Sequence, residues 1–440
     1  MLDPQELPWT PRRGSSVATM PDHEPTTPEA SKPGADGGVV GANGPPAGDS
    51  ALPAVLSRKE LRAQNKGGSH LKWWVLGAVV VALLTAVPAF LLTGSTTKAK
   101  HAIPTTTTTL HPAGPVATCP LTGTPAPGGT VPARPALAAK IGDYTDDRPS
   151  AGLNQADVVF EEPVEGFYTR LVAVFQCQGS SLVGDLRSAR QPDVAILSQL
   201  SNPIFLHAGG IDPVLGLLAN APLQDKNILQ GGYGQVTIHP PGRYAPYDTF
   251  TSTGPAWALN WADVSPPAPI FAYSVVPPVG SIAGSGLSAH IPFSSTSDVT
   301  WTWDPARSAY LRSYSGTPDK LVDGSQTAAA NVVVLTVPTF YGPWLENSQG
   351  AHEVEVTATG SGPLVVLRNG IAINGTWTRQ VLTGPTALVA SDGTPIALQP
   401  GNTWEEMAPQ GTSVTTTAAP PPATKVPTAL PAKTTSTTKP

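Results

Sequence analysis

Hydrophobic and polar positions alternate on very different rhythms along this 440-residue chain. One run is apolar without interruption: Trp73–Leu92, WWVLGAVVVALLTAVPAFLL, twenty residues with no charge. At about 1.5 Å per residue it matches a hydrocarbon core roughly 30 Å thick, so a transmembrane helix is predicted there. Between 133 and 290, short strand-like runs alternate with helical spacings. Ala136–Ile141, Asp157–Glu161 and Tyr168–Gln176 read as strands, the last two joined as a hairpin across Pro163-Val-Glu-Gly166. Asp193–Leu200 has helical apolar spacing behind Pro192, with Asp193 suited to the first turn. Pro203–His207 reads as a buried strand, and Asp212 as the cap of a helix with Pro213 at its first position.

From about 290 the pattern becomes all-β. WTWDPARSAYLRSY alternates like a hairpin, Val332–Val337 is a β-branched run, and Asn369-Gly370 and Asp392-Gly393 sit between apolar strands as hairpin turns. The fold class expected is α+β. A single N-terminal transmembrane helix precedes an α/β layered domain (119–287) and then a mainly antiparallel β domain (288–409).

Composition sets the flanks of this core. Residues 1–72 are poor in periodic apolar positions and read as a disordered arm; 93–118 is a Thr/Pro/Ala stalk, and 410–440 a similar disordered tail. Arg58, Lys59, Arg62, Lys66 and Lys72 precede the apolar run, whereas Lys98 and Lys100 alone follow it closely. The positive-inside rule therefore predicts a single-pass cell-membrane protein with a cytoplasmic N-terminus and extracytoplasmic folded domains. The net charge of −5 argues against nucleic acid as a partner. Both cysteines, Cys119 and Cys177, fall on the oxidising side, which predicts one disulfide.

Charge is sparse at 13%, yet 157–190 concentrates Glu161, Glu162, Glu165, Arg170, Arg187 and Arg190. Glu161 or Glu165 could supply the acid/base carboxyl of a glycan-cleaving enzyme, with His207 beside them. Strand alternation puts Glu161 and Glu162 on opposite faces, and pairing of a glutamate with Arg170 is the structural alternative. Arg187 and Arg190, three apart, could hold a phosphate or carboxylate at the Gly-Gly turn that leads to Asp212, or neutralise the glutamates. His239 and Arg243 lie on a proline-stiffened loop of a kind that often carries ligands. Trp301, Trp303, Tyr310 and Tyr314 could stack sugars or pack across strands. Metal, phosphate-loop, serine-elbow and dinucleotide motifs are missing, so no cofactor and no metal are expected.

PARPALAAKIGDY, GLNQADVVFEEPVEGFYTR, VGDLRSAR and FLHAGG, with the closing hairpins, resemble the YerB-like family of bacterial envelope proteins over roughly 119–408. The resemblance implies an extracytoplasmic, often lipid-anchored protein with an N-terminal and a C-terminal domain and no established chemistry. This chain departs in its anchor, having an apolar span without a lipobox cysteine. It departs again at Tyr247 in APYDTF, where the family is expected to read Pro-His-Asn. The leading expectation is a membrane-anchored module that binds or scaffolds an anionic envelope polymer or an envelope protein through Arg170, Arg187, Arg190, Arg243 and the 207–212 turn. The alternatives are a wall-glycan hydrolase or transferase using Glu161 or Glu165, and a structural partner of another membrane protein.

Overall fold

The computed structural model describes residues 116–259 and 265–419. The predicted membrane span, the arm and nearly all of the stalk lie outside these residues. Among the described residues no helix is long and apolar enough to cross a membrane.

The first segment supplies β1 (Leu137–Gly142), β2 (Val158–Pro163), β3 (Thr169–Phe175), β4 (Val183–Gly184) and helix α1 (Pro192–Ser198). It continues with β5 (Ile204–His207), α2 (Asp212–Leu218), β6 (Gln224–Asn227), β7 (Thr237–Ile238), β8 (Phe250–Thr251) and α3 (Thr253–Trp257). Then come β9 (Ser288–Pro292), β10 (Asp298–Asp304), β11 (Ala309–Tyr314), β12 (Thr317–Pro318), β13 (Ala328–Ala329) and β14 (Asn331–Val337). A hairpin of β15 (Thr339–Leu345) and β16 (His352–Val356) follows. The chain closes with β17 (Gly360–Arg368), β18 (Ile371–Arg379), β19 (Ala387–Ala390), β20 (Thr403–Pro409) and β21 (Thr415–Thr417).

The folded region is mostly β. Its helices have only seven, seven and five residues, so the α/β layer is thinner than the sequence pattern suggests. A ten-stranded sheet runs β19-β18-β17-β14-β20-β2-β3-β1-β5-β6. Strand β20 lies parallel to both β14 and β2, so one sheet takes strands from both ends of the described chain. The second sheet runs β12-β11-β10-β9-β21, with β13 on β11.

Both faces of the large sheet are covered, which explains why β1, β2, β3 and β20 are buried at almost every position. On one face Ala138, Phe160, Val172 and Val174 pack with Ile196 and Leu197 of α1 and Val214 and Leu218 of α2. On the other, Ile141, Val159, Leu171 and Ala173 pack with Ile291, Val299, Trp301 and Tyr310 of the second sheet. Trp301 and Tyr310 are fully buried, and Trp303 meets Tyr310 at 5.0 Å, so this hairpin uses its aromatics for packing. Asn369 and Gly370 both take positive φ, as the two-residue turn between β17 and β18 requires.

The ordered chain overruns the expected edges of the domains. Ala117 accepts a backbone bond from Ala126, and β21 pairs with β9 beyond residue 409. Cys119 and Cys177 form the expected disulfide, with Cα atoms 5.9 Å apart.

Candidate functional site

Alternation along β2 sends Glu161 and Glu162 to opposite faces of the sheet, as expected. Glu161 faces the second sheet, where Arg312 of β11 reaches it at 2.8 Å. The same guanidinium holds Asp143 at 2.9 Å and Asp319 at 2.7 Å, and all four side chains are almost wholly buried. Glu406, opposite Glu161 on β20, accepts from the Trp301 indole at 2.6 Å. Burial and the neighbouring Glu161 raise its carboxyl well above the usual range. On the other face Glu162 pairs with Lys140, which also reaches Asp193 of α1 at 2.8 Å. Burial, then the charge of Asp193, raises Glu162 to about 7.

Glu165 sits in the β2–β3 turn, gripped by Arg190 through Nε at 2.8 Å and Nη2 at 2.5 Å. Arg170 approaches it at 3.5 Å, and Arg190 also reaches Glu346 at 3.1 Å. Burial raises this carboxyl, but the Arg190 bonds and the charges of Arg170 and Arg190 prevail and hold it at about 2. Nη1 of each arginine donates to the carbonyl of Ser188, and that of Arg190 also to Ala189. The two cations thus hold Glu165 as a carboxylate in a buried knot.

His207 is fully buried, with Nδ1 2.7 Å from the Gly209 carbonyl and Nε2 2.7 Å from Asp225. Both ring nitrogens face acceptors, and no contact joins His207 to Glu161 or Glu165. The 207–212 turn is stitched to the arginine segment: Ala189 N donates to Gly209 O, Ala208 N to Arg187 O, and the Ser188 hydroxyl to Ala208 O. The Gly209 amide is taken by Asn227. Asp212 is the first residue of α2 and exposed; Ile211 holds the cap position, and no side chain caps this helix. The turn is thus tied to the arginine segment mainly through its carbonyls.

Arg187 and Arg243 are placed differently. Backbone pairing of Arg187 with Lys140 fixes the chain beside β1. Its side chain is only 14 % exposed, the guanidinium lying 5.0 Å from the Tyr247 ring centre and 5.9 Å from that of Tyr144. It donates to the Pro246 carbonyl at 2.8 Å and lies 3.6 Å from Asp147. Arg243 donates to the carbonyls of Asp147, at 3.0 Å, and of Pro149. Beneath them Asp185 is wholly buried. Burial first, then the charge of Asp147, raises its carboxyl to about 8. The cluster thus sets the guanidiniums of Arg187 and Arg243 around the carboxyls of Asp147 and Asp185. Tyr144 continues the face, its ring centre 4.1 Å from that of Tyr168. His239 stands 60 % exposed on the same loop, held by Asp248 rather than by the arginines.

Of the residues singled out from sequence, Arg170, Arg190 and Glu165 meet in one buried knot. Arg187 and Arg243 meet in a partly exposed cluster, while Glu161, His207 and His239 stand apart. Tyr144, Asp147 and Asp185 were not singled out, although the Asp in GDLRSAR was a visible signal next to Arg187. Groups of His, Cys, Asp or Glu able to hold a metal do not occur among the described residues.

Residues 121–262 match the N-terminal domain, and 289–404 the C-terminal domain, of a family described as "Protein of unknown function (DUF3048)". The chain belongs to the DUF3048 family. A relative, "Putative lipoprotein YerB" of Bacillus subtilis (strain 168), is 26% identical over 300 residues, covering 66% of this chain and 86% of its own. The crystal structure of the YerB protein from Bacillus subtilis is similar with a TM-score of 0.58 at 22% identity, over 68% of this chain and 99% of that one. At that identity the likeness speaks to fold alone. The Arg187 cluster lies wholly within the DUF3048 N-terminal match, whereas Arg312 and Glu406 reach Glu161 from the second half of the chain.

Buried carboxyls give this DUF3048 member a defined pH response. Burial raises Asp157 to about 6, Glu162, Glu353 and Glu405 to about 7, and Asp185 to about 8. The unfolded chain releases these protons near pH 4, so from roughly pH 4 to 8 the folded state binds more protons and stability falls as pH rises. Glu165 has the opposite sign: its contribution is present above about pH 4.5 and is lost as pH falls toward about 2. Thermal melts should give a higher Tm at pH 5 than at pH 8; an equal or higher Tm at pH 8 contradicts this account.

Proposed function

We propose that this DUF3048 protein is an extracytoplasmic binding module that recognises an anionic component of the cell envelope. The carrying observation is the contrast between its charges. Glu161, Glu162 and Glu165 are neutralised in buried ion pairs, whereas Arg187 and Arg243 lie in a partly exposed cluster, their donors shared among backbone carbonyls and Asp147. A glycosidase needs two carboxyls facing one cleft, and here the candidates point into different cores. The disulfide, the predicted span and the lipoprotein name of the Bacillus relative support an envelope setting.

The test uses the full chain with its disulfide formed, incubated with isolated bacterial cell walls. The protein should pellet with the walls at low salt and release in high salt, because exposed charges are screened. Arg187→Ala should weaken pelleting by roughly tenfold, the worth of one charge-assisted hydrogen bond. Release of soluble wall fragments that stops on Glu161→Gln or Glu165→Gln would move the reading to a hydrolase. Absence of both pelleting and release would reject the wall as ligand.

A further inference from the structure

A second feature adjoins the Arg187 cluster, and its setting is unlike that of a packed surface. Phe167 holds a left-handed backbone, φ +65°, with its ring 65 % exposed. Thr296 at 2.6 Å and Ser294 both donate hydroxyls to its carbonyl and so lock the turn. For a bulky residue that conformation is strained. Gly166 already supplies a left-handed position next door, so the hairpin itself does not require a displayed phenylalanine. Tyr341, 65 % exposed on β15, stands across from it.

The Phe167–Tyr341 pair separates two clefts. One of about 290 Å³ continues over Tyr168, Phe293, Thr339 and Phe340, and the other, of about 430 Å³, over Gly342, Ala351 and His352. No Asp, Glu, Lys or Arg lines either cleft. Tyr168 also meets Tyr144 ring to ring at a tilt, and Tyr144 in turn lies beside Arg187. One aromatic strip therefore runs from two uncharged clefts to the cationic cluster.

We infer that this strip binds a glycan: sugar rings lie against Phe167 and Tyr341, and an acidic substituent on the same polymer reaches Arg187. This rests on the anionic-envelope reading above and names its ligand class. Pyranose rings present apolar C–H faces and hydroxyl edges. Flat aromatic faces accept the first, and the hydroxyls of Tyr168, Thr339 and Tyr341 suit the second. Two clefts sharing one aromatic pair fit successive units of a repeating chain. The lack of charge there excludes the acidic group from the clefts and assigns it to Arg187.

Calorimetric titration of the full chain with four probes tests this: chitohexaose, a hyaluronan oligosaccharide, inorganic polyphosphate and a decaproline peptide. Chitohexaose should bind, and the acidic hyaluronan should bind roughly tenfold more tightly. Phe167→Ala and Tyr341→Ala, both exposed positions, should weaken both glycans by about tenfold and leave polyphosphate unchanged. Arg187→Ala should weaken hyaluronan and polyphosphate but not chitohexaose. Polyphosphate binding without any glycan response to Phe167→Ala overturns the inference while leaving the Arg187 reading in place. Chitohexaose binding with no effect of Arg187→Ala on any probe removes the anionic half. Decaproline binding lost in Phe167→Ala, without glycan binding, makes the strip a peptide groove and overturns the inference. Binding of none of the four defeats both readings.

Discussion

Arg312→Met is expected to lower stability by about 3–5 kcal/mol or to prevent folding outright. The guanidinium is fully buried and holds Asp143, Glu161 and Asp319 at once, with the Trp404 ring 5.0 Å away. Methionine fills much of the space but leaves Glu161 in a dry core without its cation, and Asp143 and Asp319 with Arg148 alone. They must then take up protons or draw in water. Arg312 belongs to the second sheet and Glu161 to the first, so the loss also loosens the packing of one on the other. Urea unfolding checks the size of the effect, and adding Glu161→Gln to Arg312→Met should recover part of it. A single variant that unfolds within about 0.5 kcal/mol of the parent would show the network to be dispensable. The variant should be hit harder at pH 8 than at pH 5, because protonation relieves the orphaned carboxyls at the lower pH.

Replacing both cysteines by serine is expected to cost about 4 kcal/mol. The bridge closes a loop with a sequence separation of 58, and its closure restricts the unfolded chain. Besides the bridge, the segment it pins has one large apolar anchor, Leu121, fully buried in a main core. Cys119 and Cys177 form a small cluster of their own with Ala126, apart from the two main cores. The other anchors of this segment are polar: Tyr273 donates to the Leu121 carbonyl, and the Gly401 amide to that of Thr122. In the serine variant residues 116–126 should lose protection from amide exchange first, while β1, β2 and β3 keep theirs. Uniform loss of protection across the sheet would place the bridge on the core rather than on its margin.

Local periodicity carried most of the elements. The runs that became β1, the β2–β3 hairpin, α1 and β5 were legible because each has its own apolar pattern and breaking residues. The opposite facing of Glu161 and Glu162 followed from the period of a strand alone. Partners were much harder to read. Arg170 is the cross-strand neighbour of Glu162, yet Lys140 takes that glutamate from β1, on the far side of β3, and frees Arg170 for Glu165. The cation of Glu161 comes from 151 residues away, a distance at which spacing carries no information. Asp185 was passed over because one aspartate in a loop has no periodicity; only its burial against Asp147 makes it chemical. Aromatics were legible as a group but not by role, since Trp301 and Tyr310 went into the core and Phe167 out of it.

The position of β20 has a bearing on how the chain can fold. Residues 403–409 fill the gap between β2 and β14, and until they arrive each side presents a long, open, apolar strand edge. Such edges invite pairing with other chains. A polypeptide emerging residue by residue therefore cannot complete its first half early. Nearly all of the described sequence must be available before either half is safe, and a chain cut anywhere before Thr403 should aggregate rather than yield a smaller stable piece.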